Sequence, residues 1–352
     1  MKRNRRGGVL LLLLAVMLGL CACGMESAAV RMEMPAIVVL PVNKKLPIDA
    51  KLLPRRTEPW ADKQNNAISL KGGAELDWVC GVPFAEPGYT ALDMDGSDRS
   101  DQVQVSGEVV FWRPGDYELH YSFQNAAGET VSASRLVHQL PAALPKEAAA
   151  EEKVIYLTFD DGPCENTPAV LELLERYDAK ATFFVILNRN ECAELLPRIQ
   201  EQGHSIGIHA FEHEYNRIYR NETAFFNDLL KAQQQMYAIT GSYARLLRFP
   251  GGSTTAKNMM GNCFPTVKQG LADMGIQYFD WNVQPEDSQG CSETDTLNAF
   301  ILSVPQWTTP VVLQHDTRSY SMNALEGMLK WGTENGYRFQ ALEPQTPGVR
   351  KN

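Results

Sequence analysis

Hydrophobic and polar positions divide the chain into stretches of different rhythm. Lys2, Arg3, Arg5 and Arg6 precede an almost wholly apolar run from Val9 to Leu20, and small residues and cysteines follow. This order predicts an export signal over residues 1–22, because the run is shorter than the roughly 20 residues that a membrane span requires. Residues 23–66 keep no period among many Pro, Lys and Arg residues and read as a spacer, with a possible first strand at Ala36-Ile37-Val38-Val39-Leu40. Over residues 67–140 the pattern changes to short alternating runs, divided by Pro87-Gly88, Asp93-Met94-Asp95-Gly96, Pro114-Gly115-Asp116 and Asn125-Ala126-Ala127-Gly128. Alternation at 102–112, 116–123 and 130–137 predicts half-buried antiparallel strands, and strands at such spacing predict a β-sandwich.

Residues 141–152, with Pro141, Pro145 and Ala148-Ala149-Ala150, break that rhythm and predict a linker. Beyond it, strand-like runs at 154–159, 181–186, 205–209, 246–249, 277–283, 310–313 and 337–341 alternate with helical patterns at 167–177, 192–202, 222–239, 264–274, 294–304 and 321–335. Val170, Leu173, Leu174 and Tyr177 share one helical face, with Asn166 or Thr167 placed to cap. Strand–helix alternation implies parallel strands, and closure of the run predicts a distorted (β/α) barrel over 153–345 with its site at the C-terminal strand ends. The fold class is thus α/β, preceded by a small all-β domain.

Composition narrows the partners. The 352 residues carry 44% hydrophobic and 21% charged side chains and a formal charge of −9, with no basic stretch interleaved with aromatics, so nucleic acid is not a partner. Leu20-Cys21-Ala22-Cys23 resembles a bacterial lipobox, which implies lipidation of Cys23 and a membrane anchor. Cleavage there would remove the four basic residues and move the charge from −9 to −13. Cys80, Cys164, Cys192, Cys263 and Cys291 are odd in number and form no Cys-x-x-Cys pair, so packing cysteines are the default, with a Cys263–Cys291 bridge the one pairing considered. Asp93, Asp95 and Asp98 form an acidic turn that could bind calcium, but its spacing is not that of a helical calcium loop, and a solvated turn is the plainer reading.

Five polar clusters lie where strand-like runs stop. Asp160 and Asp161 repel each other unless a cation or a basic group answers them. His209-Ala210-Phe211-Glu212-His213 places two imidazoles four residues apart, which would meet on one face of a helical turn. One carboxylate and two histidines form a three-ligand set for a divalent metal. Arg248-Phe249-Pro250-Gly251-Gly252 puts an arginine before a glycine turn; Asp280-Trp281-Asn282-Val283 continues to Glu286-Asp287; and Leu313-Gln314-His315-Asp316 closes the set. His204, at the start of the strand leading to His209, reads as structural.

Thr158-Phe159-Asp160-Asp161-Gly162-Pro163, His209-x-x-x-His213, Arg248-x-Pro250-x-Gly252, the Asp287 region and Leu313-x-His315, in this order, resemble the five motifs of the polysaccharide deacetylase family, carbohydrate esterase family 4. The resemblance covers roughly residues 153–341. It implies a metal, usually zinc but also cobalt or nickel, held by Asp161, His209 and His213. Asp160 is implied as general base, kept ionised by Arg248; the Gly251 N–H as oxyanion donor; His315, supported by Asp287, as the acid for the leaving amine; and Leu313 as lining of the acetyl pocket. Three departures stand out: Ala210 replaces a usual Ser or Thr, Gly251 takes an often aromatic position, and Ser288 follows Asp287 where Trp is usual, which leaves Asp280 as a competitor. Residues 67–140, through Glu86-Pro87-Gly88-Tyr89 and Gly115-Asp116-Tyr117-Glu118-Leu119-His120-Tyr121, resemble a bacterial immunoglobulin-like surface domain. Together these imply an exported N-deacetylase of acetylated cell-wall polysaccharide, first of all peptidoglycan. Another acetylated polysaccharide as substrate, or a non-catalytic wall-binding lipoprotein, remain as alternatives.

Overall fold

A computed structural model describes residues 65–188, 191–285 and 292–351. Cys23, the export signal, the 36–40 strand, Asp287 and Cys291 lie outside the described residues. Cys263 carries a free thiol.

The N-terminal domain is two small sheets. Strand β1 (Ala67–Leu70) pairs antiparallel with β3 (Tyr89–Leu92), and β2 (Glu75–Val79), β6 (Thr130–Leu140), β5 (Gly115–Gln124) and β4 (Gln104–Ser106) lie side by side in that order. Leu119, Tyr121 and Val137, one alternating face of β5 and β6, are buried against Ile68, Leu70 and Tyr89. Within this core Arg135 is fully buried, paired with Glu86 at 3.0 Å. The acids of the Asp93 turn build the turn itself. Asp93 accepts the Met94 and Ala126 N–H groups and pairs with Arg99 at 2.9 Å, while Asp95 and Asp98 accept the Ser97 and Ser100 N–H groups.

The strand predicted over 102–112 is largely absent: only Gln104–Ser106 pairs, and the reason is Gly107. Its φ of +102° turns the chain out of the sheet, and a side chain there would strike the Glu118 carbonyl. The released segment delivers Phe111 and Trp112, which with Cys80 are buried in the core of the C-terminal domain. Trp112 stacks on Phe226 at 4.1 Å, the Ala142 N–H donates to the Asp273 carbonyl at 2.6 Å, and burial pushes the Cys80 thiol up to about 12. The two domains therefore share an apolar core and are not joined by a linker alone.

In the C-terminal domain β7 (Val154–Asp160), β8 (Ala181–Ile186), β9 (Ser205–Ala210), β10 (Leu246–Leu247), β11 (Gln277–Tyr278) and β12 (Val311–His315) are parallel, in the order β11-β10-β9-β8-β7-β12. The ring closes where Val283 bridges Val312 and its carbonyl accepts the Leu313 N–H at 2.9 Å. Strand β13 (Arg338–Phe339) extends the ladder beside Val154 and Ile155. Helices α1 (Thr167–Arg176), α2 (Leu196–Glu201), α3 (Tyr215–Ile218), α4 (Glu222–Thr240), α5 (Gly252–Met260), α6 (Phe264–Asp273), α7 (Glu293–Ser303) and α8 (Ser319–Glu334) intervene. Of these, α4 shows both end signals: the Asn221 side chain accepts the Ala224 N–H, and Gly241 is left-handed.

Every residue of β7 is buried because both its faces are covered. Ile155, Leu157 and Phe159 join the large core that includes the helices, whereas Val154 and Tyr156 join Phe184, Leu246, Phe279 and Val311 in a second core. The alternation continues to Thr158 and Asp160, so this second row turns from apolar to polar at its C-terminal end.

Candidate active site

Asp160 ends β7, and Asp161 would point to the opposite face if the strand continued. Instead Asp161 has φ +72°, a left-handed conformation uncommon for a non-glycine residue, which turns its carboxylate back toward the same site. His209, on β9, lies 3.6 Å from Asp161 Oδ1 through Nε2, and His213 Nε2 lies 3.7 Å from the same oxygen. The two imidazoles do not share a helical turn: His209 belongs to a strand and His213 to the loop before α3, which folds back to bring the rings to 5.0 Å.

These three side chains place one ligand atom each within 4.8 Å of one another. Two ligands of a tetrahedral ion at about 2.0–2.1 Å are separated by roughly 3.3–3.4 Å, close to the spacing here. Asp161 Oδ1 is buried with no hydrogen bond among the described residues. An orphaned carboxylate oxygen facing two imidazole nitrogens is what a cation would satisfy. The His209 Nδ1–H donates to the Arg248 carbonyl at 2.9 Å, which leaves Nε2 as the free lone pair.

Arg248 is fully buried. It donates to Asp160 Oδ1 at 2.9 Å, to Thr158 Oγ1 at 2.6 Å and to the carbonyls of Phe279 and Asp280 at 3.1 and 3.0 Å, and it lies 4.3 Å above the Phe184 ring. The repulsion between the paired aspartates is thus relieved on one side by this guanidinium. Across the ladder, His315 of β12 is the partner of Asp160, and Leu313 that of Thr158. Leu313 is buried, His315 is partly exposed, and the His315 N–H donates to Ser321 Oγ at 3.2 Å. Gly251 is exposed before α5.

Asp280 does other work. Its carboxylate accepts the Ser253 N–H at 2.7 Å, the Ser253 hydroxyl and the Lys351 N–H at 2.7 Å, tying the start of α5 to the C-terminal segment.

Two further acids, Asp228, which is half-buried, and Asp316, which is fully buried, hold the surroundings of the site in place. Asp228 on α4 accepts the Phe211 and Glu212 N–H groups, both at 2.8 Å, and so fixes the loop between the two histidines; burial pushes its carboxyl up. A hydroxyl is absent at Ala210, but the loop backbone is held from below. Asp316 accepts the Thr167 hydroxyl, and burial pushes its carboxyl up to about 6. An acid on an amphipathic helix carries no local signal of such a role; only the fold reveals it.

A profile of the polysaccharide deacetylase family matches residues 147–264, and one described as a bacterial surface protein Ig-like domain matches residues 68–138. The chain belongs to the polysaccharide deacetylase family. It is 30% identical over 245 residues to a peptidoglycan-N-acetylglucosamine deacetylase of Bacillus cereus, covering 64% of this chain and 87% of that one. A peptidoglycan-N-acetylmuramic acid deacetylase of Bacillus subtilis is 28% identical, covering 59% of this chain and 42% of that one. Among solved structures, the catalytic domain of a peptidoglycan N-acetylglucosamine deacetylase from Eubacterium rectale is similar with a TM-score of 0.57 and 35% identity, over 59% of this chain and 96% of that one.

Proposed function

We propose that this protein removes N-acetyl groups from the amino sugars of cell-wall peptidoglycan. The observation that carries this reading is the convergence of Asp161, His209 and His213 beside a buried Asp160–Arg248 pair. A divalent cation on the three ligands would supply a more acidic water and a polarised acetyl carbonyl, and two imidazoles with one carboxylate suit zinc, with cobalt or nickel also compatible. Asp160, oriented by Arg248, accepts the proton of the attacking water. The Gly251 N–H donates to the oxygen that becomes negative in the tetrahedral intermediate. His315, next to Asp160 across the ladder, gives a proton to the departing sugar nitrogen; the support of its imidazolium is assigned to Asp287 from the family motif alone. Leu313 bounds the space for the acetyl methyl. Acetate and a free amino sugar result, with no covalent enzyme intermediate.

The peptidoglycan assignment draws on the relatives named above and on the export signal, with Cys23 as lipid anchor at the outer face of the membrane. Purified wall glycan incubated with the full chain, then digested to saccharides and weighed by mass spectrometry, tests it. Loss of one acetyl mass from glucosamine or muramic acid units is the expected result, and unaltered glycan under zinc, cobalt and nickel would overturn the assignment.

A further inference from the structure

Gly251 leaves no side chain at the mouth of the site, yet the space is filled. A Cβ built on Gly251, whose φ is +71°, would lie 2.8 Å from the Tyr215 hydroxyl and 3.2 Å from the Thr255 side chain. The 2.8 Å approach is closer than real Cβ atoms show, so any residue larger than glycine at 251 would force the Tyr215 hydroxyl to move.

Tyr215 opens α3 two residues after His213, and its ring lies 5.3 Å from the His213 ring and 5.9 Å from that of Tyr219. Tyr219 is buried and donates its hydroxyl to the Pro250 carbonyl at 2.8 Å, which locks the ring behind Tyr215 to the same loop that carries Gly251. Tyr215 itself is partly exposed, and its hydroxyl makes no hydrogen bond among the described residues. An unbonded, partly exposed O–H held beside a ligand histidine is a donor available to a bound molecule.

We infer that Tyr215 contacts the substrate: its ring walls the cleft where Gly251 offers nothing, and its hydroxyl donates to an oxygen of the sugar unit presented to Asp161, His209 and His213. This inference rests on the deacetylase reading above. It makes the Tyr215–Gly251 pair a specificity element, in which aromatic bulk comes from α3 and not from the residue before α5.

The test uses the full chain and a tetramer of N-acetylglucosamine as probe. In the catalytically silent Asp160→Asn background, Tyr215→Phe should weaken binding measured by calorimetry roughly three- to tenfold, the loss of one neutral hydrogen bond, and Tyr215→Leu should weaken it further. In the otherwise unaltered enzyme the same loss should fall on KM more than on kcat. Gly251→Ala should disturb binding less in the Tyr215→Phe background than alone, because the colliding oxygen is gone. Thermal melting of each variant establishes that it is folded. Acetate release by the parent chain combined with unchanged binding and KM in Tyr215→Phe would overturn the inference and leave the deacetylase reading standing. Absence of both acetate release by the parent and tetramer binding by Asp160→Asn would overturn both.

Discussion

Replacing Arg248 with methionine is the sharpest structural perturbation available. Arg248 is fully buried and donates to four acceptors: Asp160 Oδ1, Thr158 Oγ1 and the carbonyls of Phe279 and Asp280. A methionine side chain would match much of the volume but none of the donors, and it would leave Asp160, itself 3% exposed, as an uncompensated carboxylate next to Asp161. Breaking a buried ion pair from one side costs about 3–5 kcal/mol. At about 2–4 °C per kcal/mol for a domain of this size, Arg248→Met should melt roughly 6–20 °C below the parent. The mechanism, not just the magnitude, is tested by a double-mutant cycle. In the Asp160→Asn background the orphaned charge no longer exists, so Arg248→Met should cost at least ~1 kcal/mol less than it does alone. Scanning calorimetry of the four proteins, all metal-free, gives the cycle. A melting point for Arg248→Met within about 2 °C of the parent, the shift expected for under 1 kcal/mol, or equal costs in the two backgrounds, would refute the view that this pair holds the site together.

Other predictions follow the same logic. His204 accepts the Ala181 N–H through Nδ1, and burial, with Lys180 nearby, pushes its pKa down to about 4. The folded state then binds fewer protons than the unfolded state between about pH 6.5 and 4, so stability falls as pH drops through that window. Between about pH 7.5 and 5 this amounts to ~2 kcal/mol, and chelated His204→Gln protein should show correspondingly less acid sensitivity in urea melts than chelated parent. Trp112→Ala opens a cavity against Phe226 and should cost about 3–5 kcal/mol, lowering the single melting transition of both domains; a change confined to a separate N-terminal transition would contradict the shared core. Asp228→Asn removes one of two oxygens that hold the histidine loop, and zinc affinity measured by competition with a chromophoric chelator should fall about 10–100-fold.

Much of this architecture is legible in the residues because local pattern and burial agree. The Val154–Asp160 run is apolar on both faces since β7 is covered on both, and its two closing acids mark where the barrel opens. The helices α1, α4, α6, α7 and α8 begin and end within one or two residues of their periodic patterns, aided by signals such as Asn221 and Gly241. The failures have physical causes. Residues 102–112 alternate convincingly, but Gly107 breaks the pairing and Phe111 and Trp112 serve another domain's core, a contact that periodicity cannot distinguish from strand packing. The short helix α3 and the glycine-led α5 carry too few periodic positions to be seen. His209-x-x-x-His213 is legible as a pair with His209 at a strand end, but its spacing suggests a helical turn where the chain instead forms a loop that folds back. Asp228 and Tyr215 give no signal, because their roles depend on backbone groups and space contributed by distant segments.

The central claim is that three residues from two strand ends and a loop hold one cation on which hydrolysis depends. It is tested most directly by following acetate release from wall glycan by the full chain after exhaustive chelation and during stepwise return of zinc. The account predicts no release from the chelated protein, recovery that saturates at one equivalent per chain, and no recovery at any zinc level in Asp161→Ala. Release that survives chelation, or that Asp161→Ala retains, would contradict it.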